Sequence, residues 1–213
     1  MSKNLIERLN EGPVLCAEGY LFAMERRGYL QAGAFVPEVV LEHPEVVSQL
    51  HREFIRAGSD VVQAFTYYGH REKLRIIGKE NLLEPLQKNA LQIAKDSREE
   101  FKDLDLMVCG DIANTNVWDP NDKKTDLECQ KMFEEQVGWA KEAGVDFVIA
   151  ETITWLGEMK IALKAIKDAG LIAVCNFSIK RDEMTRDGHT PGDACKILED
   201  NGADVVGLNC FRG

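Results

Sequence analysis

The chain has 213 residues, 45% of them apolar and 29% charged, and a formal net charge of −10. That balance suits a globular protein large enough to bury a sizeable core, and the acidity argues against a nucleic-acid partner, which wants a basic face. No apolar run approaches the length of a membrane span, and the opening "MSKNLIERLNEG" is polar and amphipathic rather than a secretory leader, so a cytosolic protein without a membrane partner is expected.

In chain order, "VLCAEG" supplies a first strand near 14–18. "PEVVSQLHREFIRAG" has apolar residues at helical spacing, with Pro44 at the first helical position. "RAGSDVVQAF" then gives a strand near 60–65, and "DLDLMVCGDI" another near 105–111. The helical "DLECQKMFEEQVGWAKEAG" leads into "EAGVDFVIAE", a strand near 146–150. The helical "WLGEMKIALKAIKDAG" leads into "DAGLIAVCNF", near 171–177, and "DNGADVVGLN" gives the last strand near 204–209. One phrase recurs: a helix-ending glycine (Gly58, Gly144, Gly202), an aspartate two residues on (Asp60, Asp146, Asp204), then an apolar run. Glycine there fits a left-handed helix cap. The short apolar runs read as parallel strands buried on both faces.

Alternating strands and helices imply a parallel α/β sheet. A doubly wound sheet would carry a glycine-rich phosphate loop, and neither GxGxxG nor GxxxxGK[ST] is present. A (β/α)8 TIM-type barrel puts polar residues at the carboxyl ends of its strands. Here those ends carry Glu18, Tyr67 and Tyr68, Asp111 and Asn114, Glu151, Asn176, and Asn209 with Cys210. The fold expected is therefore a single barrel domain over residues 1–213, truncated after its sixth strand. Its two open edges, with Val14, Leu15, Val205 and Val206, would favour self-association into a homo-oligomer.

The strand ends admit several chemistries. Cys210 is either a small buried hydrophobe or a thiolate, acting as nucleophile or metal ligand. A nucleophile wants a histidine nearby, and nothing in the sequence pairs His70 or His189 with it. A lone cysteine cannot hold zinc tightly. The six cysteines include no CxxC and no adjacent pair, so a disulfide framework is not expected. Glu151 follows a run of apolar and small residues, and Glu18 stands at the same place on the first strand. Two carboxylates at one mouth suit a substrate with an amine, or acid–base work. The aromatic "FTYYGHREK" either covers the barrel top or cages a cation.

Three stretches carry a resemblance: "ERRGYLQAGAFVPEVVLEHPEVVSQLHREFIRAGSDVVQAFTYY", "FVIAET" and "ADVVGLNC". The chain resembles the homocysteine S-methyltransferase family, in particular members that take the methyl group from betaine. The resemblance implies a zinc-dependent transfer of that methyl to the thiol of homocysteine, giving methionine. It implies zinc held by three cysteines. Cys210 matches the one in the family's Gly-x-Asn-Cys motif, and the adjacent Cys-Cys pair that supplies the others is missing here. By the same resemblance Glu151 anchors the homocysteine amine and Tyr68 lines the donor site. Glu18-Gly19 stands where the family has Asp-Gly, and Phe35 where animal members carry tryptophan. Two other readings stay open: a truncated barrel without catalysis, and a metal-free enzyme using Glu18 and Glu151 as acid and base.

Overall fold

The computed structural model describes residues 3–17, 19–30, 37–179 and 183–210. Among them lie five parallel strands: β1 (Val61–Gln63), β2 (Met107–Ala113), β3 (Phe147–Ile153), β4 (Ile172–Phe177) and β5 (Val205–Leu208). The helices are α1 (Leu5–Leu9), α2 (Tyr20–Arg26), α3 (Val39–Glu42), α4 (Pro44–Arg56), α5 (Arg71–Ile76), α6 (Leu83–Glu100), α7 (Lys124–Ala143), α8 (Leu156–Asp168) and α9 (Pro191–Asp200). The strands pair in the order β1-β2-β3-β4-β5. A doubly wound sheet reverses its order at a switch point. Sequential parallel order with helical crossovers makes the wall of a (β/α) barrel.

The helices form where the sequence signals them. In α4, Pro44 sits in the first turn, Val46, Val47, Leu50 and Ile55 are buried, and Arg56 closes the last turn. α7 ends at Gly144, whose φ of 74° is the left-handed cap that a side chain would resist. α8 is capped from a distance. The Asp187 carboxylate accepts from the backbone N–H groups of Leu156 (3.0 Å) and Gly157 (3.1 Å).

The expected strand at 14–18 is corrected. Among the described residues of that stretch one parallel bridge forms, Cys16 to Val61. The Ser59 hydroxyl accepts from Ala17 N (3.0 Å) and donates to the Val61 carbonyl (2.7 Å), standing in for a ladder bond between them. The other strands lie where expected, but β2 and β3 run further, so Asp111 is not the last residue of its strand and Glu151 lies within its strand rather than after it.

The recurring aspartates have one structural job. Asp60 Oδ2 accepts from Leu15 N, Asp146 Oδ2 from Val108 N (2.7 Å) and Asp204 Oδ2 from Ala173 N (2.8 Å). In each case the aspartate's own N–H donates back to the carbonyl of the same residue, Leu15, Val108 or Ala173. Each carboxylate thus stitches the start of one strand to the preceding stave, a hydrogen bond worth about 1–3 kcal/mol. The 14–16 segment, held by this same device, occupies the place of a stave without being a regular strand.

Side chains alternate across the sheet. Outward residues such as Val108, Val148, Ala150, Ala173 and Cys175 pack with Phe133, Met159 and Ile166 of the helices. Inward residues Val61, Met107, Cys109, Phe147, Ile149 and Val174 form a separate cluster inside the barrel wall, with Leu5 below.

Candidate active site

The inward rows change character toward their carboxyl ends. β1 goes from Val61 to Gln63, β2 from Cys109 to Asp111, β3 from Ile149 to Glu151, and β4 from Val174 to Asn176. Gly207 faces Asn176 from β5. A Cβ there would lie 3.0 Å from Asn176 Oδ1, so glycine makes room for the amide. The polar ends open into a cavity of about 120 Å³ whose lining includes Tyr20, Gln63, Tyr67, Asp111, Glu151 and Cys210.

Glu151 is 7% exposed. Gln63 Nε2 donates to its Oε1 at 2.9 Å, and Asn209 Nδ2 donates to its Oε2 at 2.6 Å. The next residue, Thr152, has φ 58°, and the β3–β4 register slips between Ala150 and Ile153. A β-branched residue in that left-handed region is a costly conformation, about 1–3 kcal/mol. Asn209 holds it: its Oδ1 accepts from Thr152 N and its Nδ2 donates to Thr152 Oγ1, both at 2.9 Å. Cys210 is exposed, also left-handed at φ 49°, and its Sγ lies 4.0 Å from Thr152 Oγ1. Glu151 and Cys210 therefore share one mouth. Strained backbone gathers at functional sites, and Tyr68 (φ 58°), Thr152 and Cys210 place it after β1, within β3 and after β5.

The other expected site residues divide. Gly19 lines the same cavity, with φ 92°, at the start of α2. Glu18 and Phe35 lie outside the described residues. Tyr68 is turned aside: its ring packs on Tyr67 at 4.3 Å, Lys73 Nζ lies 4.3 Å from its centroid, and its hydroxyl donates to Asn114 Oδ1. Tyr67 takes the wall instead. Burial, with Tyr68 alongside, pushes the Tyr67 hydroxyl pKa up, so it stays protonated. Gln63 and Tyr20 escaped the sequence reading. Counting by twos from Val61 would have found Gln63. Tyr20, on a helix, stacks on Phe65 and meets His51 Nδ1 at 2.9 Å through its hydroxyl, and no strand pattern announces it.

His51 and His70 are buried away from the mouth chemistry. Burial lowers His51 to a pKa of about 3 and His70 to about 4, so both are neutral near pH 7. His70 Nδ1 accepts from Lys73 N at the start of α5. Burial also raises the thiol of Cys109, and those of Cys129 and Cys175 to about 12, so these remain protonated. A zinc site needs three or four donors. Among the described residues no group of three His, Cys, Asp or Glu can hold a metal. The described mouth offers one exposed thiol, Cys210, and this donor set does not fit a closed zinc site.

A family model described as Homocysteine S-methyltransferase matches residues 19–212. Betaine–homocysteine S-methyltransferase 1 of Sus scrofa is 36% identical, covering 98% of this chain and 74% of that protein. The Bos taurus and Danio rerio proteins of that name are 35% and 37% identical, and the chain spans about half their length, 51% of each. The metallated crystal structure of the homocysteine methyltransferase MmuM from Escherichia coli superposes with a TM-score of 0.80. It shares 19% identity and covers 95% of this chain and 76% of its own.

Proposed function

The chain belongs to the homocysteine S-methyltransferase family, and from that premise we propose that its mouth binds homocysteine for methylation by betaine. The observation that carries the reading is the shared cavity of Glu151 and Cys210. A buried carboxylate held by two amide donors suits the ammonium of an amino acid, since a charge-assisted hydrogen bond is about twice as strong as a neutral one. With the amine on Glu151, the thiol side chain points across the mouth toward Cys210. In the reaction the thiol loses its proton, which ends on the nitrogen of the departing amine, and a sulfur lone pair attacks a methyl carbon of betaine. The carbon–nitrogen bond breaks with its electrons going to nitrogen, giving methionine and dimethylglycine. The aromatic wall of Tyr20 and Tyr67 suits the cationic donor.

In the family zinc ionises the thiol, and the single cysteine at this mouth does not fit that metal. The sequence contains no adjacent cysteine pair. The 213-residue chain on its own is accordingly proposed to bind homocysteine without turning it over, the single thiol donor favouring this non-catalytic reading. The test is an assay with excess zinc, betaine and homocysteine. Methionine formation that disappears in Cys210→Ala would refute the non-catalytic reading. Homocysteine binding weakened in Glu151→Gln, with no methionine from the wild type, supports it.

A cytosolic setting and self-association belong to the same proposal. Among the described residues no helix is long and apolar enough to cross a membrane. On β5, Val205 and Val206 are half-buried and Leu208 is 45% exposed, while Leu15 is 57% exposed beside β1. Apolar groups at sheet edges invite pairing with another chain. Sedimentation should show species larger than the monomer, and a single sharp monomeric boundary would count against self-association.

A further inference from the structure

Asn209 and Gln63 approach Glu151 from opposite sides of the mouth, one from the end of β5 and one from β1. Each carries a primary amide whose orientation its partners fix. The Asn209 nitrogen faces the Glu151 carboxylate because its oxygen is taken by a backbone donor. Its oxygen must face Thr152 N, because a backbone N–H only donates. Gln63 is fixed likewise: its nitrogen donates to Glu151 and its oxygen accepts from Cys16 Sγ at 3.6 Å. Gln63 is 3% exposed and Asn209 9%, so neither amide swings freely into solvent.

We infer that Gln63 and Asn209 are positioning residues that hold the Glu151 carboxylate in one plane, ready for the ammonium group of the bound amino acid. The inference rests on the reading of Glu151 as the amine anchor. A glutamate side chain loses up to about 2 kcal/mol of rotamer freedom when it is fixed. With one amide on each oxygen, folding has already fixed it and binding does not. Asn209 does more than Gln63, since it also holds Thr152 in the conformation that aims Glu151 into the mouth.

The test compares two ligands by calorimetry on the full chain in reducing buffer: L-homocysteine and 4-mercaptobutanoate, which lacks the amine. The wild type should prefer homocysteine. Glu151→Gln should abolish the preference. Gln63→Met and Asn209→Leu, which keep size and remove the donor, should each cut the preference about tenfold, the scale of one hydrogen bond to a charged group. Their affinity for 4-mercaptobutanoate should stay within about twofold, since that ligand makes no use of the clamp. A general loss of structure would weaken both ligands together. If Asn209→Leu fails to fold, Gln63→Met carries the test alone. A preference that Glu151→Gln abolishes but Gln63→Met retains overturns the clamp and leaves the anchor standing. A preference that survives Glu151→Gln, or is absent in the wild type, overturns the anchor and the clamp with it.

Discussion

The base and the mouth of this barrel share the same strands but follow different rules. At the base, Phe147, Ile149, Met107 and Val174 fill the interior, and the aspartate stitch recurs with nearly the same geometry. At the mouth the inward residues turn polar, the β3–β4 register slips, and Tyr68, Thr152 and Cys210 adopt left-handed backbone. Regular burial at the base supplies the stability that strained, polar geometry at the mouth consumes.

Substitutions should separate the two regions. The largest effect belongs to the base: Phe147→Ala removes a ring that is 2% exposed and should cost about 3–5 kcal/mol. Denaturant unfolding should show a lower midpoint, while the molecules that remain folded keep their homocysteine affinity. Glu151→Gln should do the reverse, weakening homocysteine binding by about ten- to a hundredfold through loss of a charged partner, with a small change in unfolding free energy. Equal damage to stability and binding from both variants would erase the distinction.

A pH series probes the helical layer behind the sheet. His51 and His70 are neutral in the fold, with pKa values of about 3 and about 4 against 6.5 for a free histidine. Below about pH 6.5 the unfolded chain binds protons there that the folded chain refuses. Stability should therefore fall as pH drops from about 6.5 toward 4, by up to about 1.4 kcal/mol per pH unit for each histidine. His51→Gln should flatten that slope, as read from denaturation midpoints at several pH values. The smallest effect concerns the stitch. Asp146→Asn keeps the shape but weakens the bond to Val108 N, and about 1 kcal/mol should be lost. Asp204→Asn should cost slightly more at Ala173, because the same oxygen also accepts from Lys167 Nζ at 2.6 Å.

The base was legible in the sequence and the mouth only partly. The glycine–aspartate phrase located the strand starts because turn chemistry and apolar runs are local properties. The 14–18 segment misled because its apolar residues looked like a strand, whereas the Ser59 hydroxyl takes the Ala17 N–H. At the mouth, parity fails. A left-handed residue or a register slip changes which neighbour points inward, so Tyr67 lines the cavity where Tyr68 was expected. Glu151 was legible because an abrupt carboxylate closes an apolar run, whereas Cys210 stood out only through the family's Gly-x-Asn-Cys motif. The amides that hold Glu151 come from strands far apart in sequence, and only the fold brings them together.

The central claim is that the amino acid binds with its amine on Glu151 and its sulfur toward Cys210. A crystal structure of the chain soaked with L-homocysteine tests it most directly. The account predicts the ammonium nitrogen within hydrogen-bond distance of the Glu151 carboxylate, with Gln63 and Asn209 still donating to that carboxylate and the sulfur on the Cys210 side. Homocysteine bound the other way round, or outside this cavity, would contradict it.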